Sequence, residues 1–255
     1  SKEARLRRFE QWRSFWEPGA KFEYHPSSSM YVVAEIIERA SGQHFESFVE
    51  DHVLNPLQLR NTFIGLPDDQ SSRALPIRFC GVELSQQEYE EMGFPVPPET
   101  EVTEDAVLSF NERDVQASGI PGGGAFSNAE DMAMFYQALL HGGTNQERLW
   151  QDDMLANAKT IRNSNLKDPV FKKAANRGLG IVISGDSDRN YRGFGKTNSP
   201  FSFGHKGAWV QLCWADPETG LSFVYLTSGH DRNPIRQGRR GVSISSLAAQ
   251  CKAGD

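Results

Sequence analysis

The sequence predicts an α+β fold, a largely antiparallel β-sheet flanked by helices, with a helical and irregular insertion over residues 66–118. Three observations carry this. An apolar run at 210–215, the turn Asp216-Pro217-Glu218-Thr219-Gly220 and a second apolar run at 221–228 form a β-hairpin pattern. Residues 178–184 (Gly-Leu-Gly-Ile-Val-Ile-Ser) and the stretch from Phe203 supply further strands, so the sheet is expected to use 178–184, 203–215 and 221–228. Segments with apolar residues at helical spacing occur both early in the chain and after the last strand.

Composition narrows the function classes. At 255 residues, with 38% hydrophobic and 24% charged residues, the chain is long enough to bury a large core. Lys and Arg total 27 against 33 Asp and Glu, a formal charge of −6, so no basic field exists to attract nucleic acid or an anionic membrane. No apolar run approaches the roughly 20 residues needed to span a bilayer, and the charged N-terminus is not followed by the apolar core of a secretory signal. Cys80, Cys213 and Cys251 are too few and scattered for a disulfide framework or a zinc site. A reducing, cytoplasmic compartment is the simplest reading, and an exported mature chain is compatible with it. The first residue is Ser1 rather than Met, which fits either processing or a segment of a longer protein.

Element by element, 2–16 reads as an amphipathic helix on Leu6, Phe9, Trp12, Phe15 and Trp16, stopped by Pro18-Gly19. Phe22-Glu23-Tyr24 is a short extended piece, and Pro26 pushes His25 out of the α region. A helix then starts in the cluster Ser27-Ser28-Ser29, buries Val32, Val33, Ile36 and Ile37, and ends at Gly42. A second covers 45–53 and stops before Pro56, and 57–65 looks extended. The 66–118 stretch loses periodicity, is punctuated by five prolines before Asn111, and holds one short helix near 86–92. Ser127-Asn128-Ala129-Glu130 is a capping box opening a helix to about His141, with Met132, Phe135, Leu139 and Leu140 buried. Residues 185–200 read as a polar, unstructured stretch, and 242–252 as a closing helix.

Two places invite chemistry. Gly204, Gly207 and Ala208 are small where a strand would carry bulk, so either something approaches the backbone there, such as a carbonyl oxygen held by N–H groups, or the glycines serve a bulge or tight packing. Tyr24 sits where an extended piece meets a helix. It is either a general base tuned by a nearby cation or a packed ring with a bonded hydroxyl. Ser118-Gly-Ile-Pro-Gly-Gly-Gly-Ala-Phe126 lacks the spacing of a dinucleotide or phosphate loop, so no cofactor is read from it, and no metal is implied. His44, His52 and His141 sit at helix edges as surface residues. His230-Asp231 follows the second hairpin strand, within reach of a site mouth.

Three motifs in order resemble the serine β-lactamase-like superfamily, which includes class C β-lactamases, D-Ala-D-Ala carboxypeptidases and related esterases. They are Trp16-Glu-Pro-Gly-Ala-Lys-Phe-Glu-Tyr24 with Tyr31-Val-Val-Ala-Glu-Ile-Ile-Glu-Arg-Ala-Ser-Gly42, Pro121-Gly-Gly-Gly-Ala-Phe-Ser-Asn-Ala-Glu-Asp131, and Phe203-Gly-His-Lys-Gly-Ala208. The resemblance implies a β-lactamase/transpeptidase-like domain over 1–255 and an acyl-enzyme mechanism in which a Ser-x-x-Lys pair and the motif tyrosine activate the serine. It implies Tyr24 as the tyrosine base, His205 at the Lys/His position, and the Ala208 N–H as one oxyanion donor. Lys206, Gly207 and Trp209 are candidates for substrate contact, and Trp209 or Phe203 could line an acyl pocket. The substrate class implied is a small ester or amide. Two departures stand out. The family's Tyr-x-Asn reads Tyr24-His25-Pro26, which favours an esterase-like branch. The 23 residues before Tyr24 hold no Ser-x-x-Lys, and the one match in the chain, Ser164-Asn-Leu-Lys167, lies downstream in a polar segment and is read as a loop. Either the nucleophile's segment lies outside these residues, or the chain is a degenerate member that binds without reacting.

Overall fold

The computed structural model describes residues 2–97, 102–144, 147–163, 165–208 and 211–251. Helix α1 (Lys2–Glu10) has Glu3 in its first turn and Arg7 and Arg8 in its last, each favourable to the helix dipole. It ends six residues earlier than the sequence predicts. The Arg13 guanidinium folds back onto the Glu10 and Trp12 carbonyls at 3.0 and 2.8 Å, satisfying groups a continuing helix would have used.

Helix α2 (Ser28–Ser41) ends at Gly42, whose φ of 75° is the left-handed stop that glycine adopts without strain. Its buried face is not the expected one. Ala34 and Glu35 are buried, while Val33 and Ile36 are exposed. The inward turn of a carboxylate is explained by its partners. Glu35 accepts from Arg5 at 2.6 Å and Arg39 at 2.7 Å, and Arg5 also donates to Glu38 at 2.6 Å, tying α1 to α2.

Helix α3 (Phe45–Val49) runs into a π-helical turn, Glu50–Leu54. The expected extended stretch at 57–65 is mostly turn, with Gln58 at a positive φ, and only β1 (Phe63–Ile64) is strand. The 66–118 region is more ordered than its composition suggests. It holds a 3-10 turn, Asp68–Arg73, strand β2 (Arg78–Cys80), and helices α4 (Gln86–Glu91), α5 (Glu104–Leu108) and α6 (Arg113–Ala117). Strand β3 (Ala125–Phe126) pairs antiparallel with β1. Helix α7 (Ala129–His141) is capped by Asn128, which accepts from the Asp131 N–H at 2.8 Å, and not by Ser127, whose hydroxyl meets Thr62 at 2.7 Å. Helix α8 is Asp152–Ala158.

The main sheet has the order β4-β5-β6-β7 and is antiparallel throughout: β4 (Val182–Ile183), β5 (Phe203–Lys206), β6 (Leu212–Asp216) and β7 (Leu221–Tyr225). The single strand expected over 203–215 is two strands paired with each other. The Gly207 N–H donates to the Gln211 carbonyl at 2.7 Å and turns the chain back. The expected strand at 178–184 narrows to two residues. Strand β8 (Gly229–Asp231) pairs in parallel with β2, so His230 and Asp231 lie buried in a ladder rather than at a site mouth. Helix α9 (Pro234–Ala248) begins earlier than expected, because Asn233 caps it and Pro234 fits its first turn.

Helices cover both sheet faces. Ile183, Phe203, Cys213 and Ala215 pack with Tyr136 of α7, and Val182, Leu212 and Trp214 pack with Ala248 and Ala249 at the end of α9. The 185–200 stretch is not unstructured. Buried Arg192 donates to the Ser184 and Ala174 carbonyls at 2.6 and 2.8 Å and to Asp186 at 2.6 Å. Its far end is held by buried Asp216, which accepts from the Ser199 N–H, the Ser199 hydroxyl and the Ser202 hydroxyl at 2.6–3.0 Å. Among the described residues no helix is long and apolar enough to cross a membrane.

Gly204 has a packing reason. A Cβ there would strike the Cys213 carbonyl and stand 2.7 Å from Trp214 Cα, both in the paired strand. Gly204→Ala is expected to cost about 2–3 kcal/mol in denaturant melts. Asp231 yields a pH-resolved prediction. The Arg236 hydrogen bonds, working against burial, pull its carboxyl down from 3.8 to about 2. Its stabilisation is therefore present above pH 4 and disappears as pH falls toward 2. Asp231→Asn should lose about 1 kcal/mol at pH 7, after allowing for solvent at the half-exposed Arg236, and the difference from wild type should shrink at pH 3.

Candidate active site

Tyr24 stands on the connection between α1 and α2. The glycine-rich passage fixes that connection by close approach, because a Cβ on Gly122 would lie 2.6 Å from the Pro26 carbonyl oxygen. From the other side, the Ser29 hydroxyl donates to the His25 carbonyl at 2.6 Å. The His25 ring turns back to the Glu23 carbonyl at 3.2 Å.

His205 lies on β5 opposite Cys213. Strand alternation puts it on the same face as Phe203, which is core, with Lys206 and Gly204 on the other. Its Nε2 is 2.9 Å from Arg177 Nη1 and 3.4 Å from the Tyr24 hydroxyl, and its Nδ1 is 2.5 Å from the Lys206 carbonyl oxygen. The protonation state follows from the donor inventory. A guanidinium only donates, so Nε2 accepts, and the ring proton sits on Nδ1 and is donated to the Lys206 carbonyl. Burial and then the Arg177 charge push the imidazole from 6.5 down to about 4, so the ring is neutral at pH 7.

Tyr24 and His205 are 181 residues apart in sequence and meet here with ring centroids 5.8 Å apart. Burial lifts the phenol above its ordinary value of 10, against the Arg177 charge, so the hydroxyl is protonated at neutral pH. Nε2 has one lone pair and two donors. Arg177 takes the shorter contact, and the hydroxyl is left loosely held and free to turn toward a third group.

Arg177 completes this cluster, and sequence reasoning missed it. It precedes β4, with its guanidinium carbon 4.6 Å from the Tyr24 ring centre and 5.8 Å from that of Phe22. Its one local signal is a charged residue directly ahead of the Gly-Leu-Gly strand opening. The narrow cleft beside it has a cavity volume of about 50 Å³ and is lined in part by Asp168, Phe171, Tyr191 and Lys206. The Lys206 ammonium lies 5.7 Å from the Phe171 ring centre.

Of the other expected site residues, Gly207 has its N–H occupied by Gln211. Ala208 is exposed, and its N–H takes no acceptor among the described residues. Trp209 lies outside the described residues. Phe203 is 1% exposed and belongs to the core. Ser164 also lies outside the described residues, and the chain after it, 165–167, forms a turn and a bridge from Lys167 to Ala174 rather than a helix. Glu38, His44 and Glu46 come within 4.8 Å of one another, but Glu38 is already bound by Arg5 and Lys2, a poor arrangement for a metal ion.

The chain is similar to several known proteins. A protein of Escherichia coli (strain K12) named "Putative D-alanyl-D-alanine carboxypeptidase" is 25% identical over 247 residues, covering 90% of this chain and 50% of its own length. The chain thus spans about half the length of the curated relatives it matches. Two solved structures share the fold. EstA from Arthrobacter nitroguajacolicus Rue61a has a TM-score of 0.71 at 20% identity, over 98% of this chain and 66% of its own. A penicillin-binding protein homolog from Caulobacter crescentus has a TM-score of 0.72 at 21% identity, over 96% and 64%. The Beta-lactamase family model matches residues 1–246, nearly the whole chain, and the protein belongs to that family.

Proposed function

We propose that this chain carries the tyrosine-and-oxyanion part of a serine hydrolase site that cleaves small esters, and secondarily amides, through an acyl-enzyme. The observation that carries the reading is the approach of the Tyr24 hydroxyl to within 3.4 Å of His205, beside the Arg177 cation. In this reading Tyr24 moves the proton of a serine nucleophile, and the Ala208 N–H stabilises the oxyanion as the carbonyl becomes tetrahedral. Lys206 and Gly207 contact the acyl group in this reading; Trp209, expected beside them, lies outside the described residues. The serine comes from a Ser-x-x-Lys segment not contained in residues 1–255, since Lys167 is not on a helix.

The preference for esters rests on Tyr24-His25-Pro26. No carboxamide stands two residues after the tyrosine to hold an amide substrate, and His25 is turned onto its own backbone. Family VIII carboxylesterase is among the folds similar to this one, at a TM-score of 0.66.

A fluorophosphonate probe tests the reading on two polypeptides. Residues 1–255 alone should remain unlabelled. The product of the whole reading frame containing them should be labelled on one serine and should hydrolyse p-nitrophenyl butyrate faster than a D-Ala-D-Ala peptide. In that product Tyr24→Phe should lower kcat/KM by roughly 10²–10⁴-fold. Labelling of residues 1–255 would place the nucleophile within this chain. A whole product that neither labels nor hydrolyses would favour a ligand-binding relative.

A further inference from the structure

We propose that Arg177, and not His205, is the cation that acts on the Tyr24 phenol, and that Arg177 also locks His205 as the neutral Nδ1–H tautomer. Arg177 is a positioning residue in this account. Its effect on the proposed reaction rests on the hydrolase reading above, but the tautomer and charge assignment stands without it.

Three observations converge. The Arg177 Nη1 donor faces His205 Nε2 at 2.9 Å, which demands a lone pair on that nitrogen. The opposite ring nitrogen is committed as a donor to the Lys206 carbonyl at 2.5 Å. The guanidinium lies over the Tyr24 ring at 4.6 Å and 5.8 Å from the centre of the Phe22 ring. A protonated imidazole would place an N–H against the Arg177 N–H and bring two cations together. Arg177 therefore supplies the positive charge and His205 remains an acceptor. Burial lowers the Arg177 pKa only from a very high starting value, so the guanidinium stays charged.

Among the described residues that line the cleft, no other cation takes this role. Lys173 and Arg192, which line the same cleft, are paired with Asp188 at 3.2 Å and Asp186 at 2.6 Å. Lys206 points to the opposite face of β5, over Phe171. The Asp168 carboxylate accepts the Val170 and Phe171 N–H groups. Tyr191 lines the cleft, and Tyr136 of α7, whose phenol burial pushes up, reaches the His205 backbone.

Long-range ¹H–¹⁵N NMR of the 255-residue chain tests this without any substrate, so its outcome is independent of hydrolysis. At pH 7 the His205 ring, assigned by its loss in His205→Gln, should be the neutral Nδ1–H tautomer and should reach half-protonation only near pH 4. In Arg177→Met the ring should titrate at least about one pH unit higher and lose its single tautomer. The Tyr24 phenol, read by absorbance against Tyr24→Phe, should titrate about one unit higher in Arg177→Met and near the wild-type value in His205→Gln. Arg177→Lys keeps the charge without the planar stack and should fall between. An Nε2–H or charged His205 in the wild type overturns the proposal, even if Arg177→Met fails to fold. So does a phenol that shifts with His205→Gln and not with the Arg177 variants.

Discussion

The close pairing of β5 with β6 is the constraint on which the rest depends. Gly204 faces Trp214 across the ladder with no room for a Cβ, at a point where the sheet is fully buried. Trp214 and Phe203 are at most 1% exposed, which makes this the fixed centre of the molecule. Alternation along β5 then does the placing. Once Phe203 is committed to the core against α7, His205 projects on the same face one pleat further, where the strand leaves the core. The chain turns at Gly207, and the imidazole is held at the edge of a rigid sheet rather than on a loop.

The opposite wall of the cleft is built by unrelated means. Tyr24 belongs to a connection with no sheet to brace it. Its position comes from the ion-pair cluster joining α1 to α2 and from the glycine-rich passage pressed against Pro26. Arg177 bridges the two walls, stacking on a ring from one and donating to a ring from the other. A side chain with five donors and a flat face suits that bridge, where lysine would offer a point charge only.

Much of this was legible in the sequence because it is local. The hairpin turn at 216–220, the αL stop at Gly42 and the helix at 129–141 follow from residue type and period, and the motif resemblance joined positions 24 and 205 across the chain. The rest is set by partners far away. Glu35 turns inward against the apolar period of α2 because Arg5, thirty residues earlier, neutralises it. Residues 185–200 have the composition of a loose loop, yet Arg192 and Asp216 fasten both ends through buried bonds to distant backbone and hydroxyl groups. Arg177 escaped notice for the same reason, since its meaning lies in what it touches at Tyr24 and His205, and neither is near it in sequence.

The charge arrangement explains how a histidine can serve at position 205. A cation on that side chain would have to be buried beside a guanidinium, which both desolvation and like-charge repulsion oppose. Moving the charge to Arg177 removes the conflict. The cation lies over the face of the phenol, where it favours the phenolate without forming a hydrogen bond to the oxygen. The hydroxyl is spared a strong partner, since the imidazole lone pair is already engaged. A tyrosine that is cation-stabilised but loosely bonded can exchange a proton with an incoming group, whereas one in a short, saturated hydrogen bond cannot do so without breaking it first.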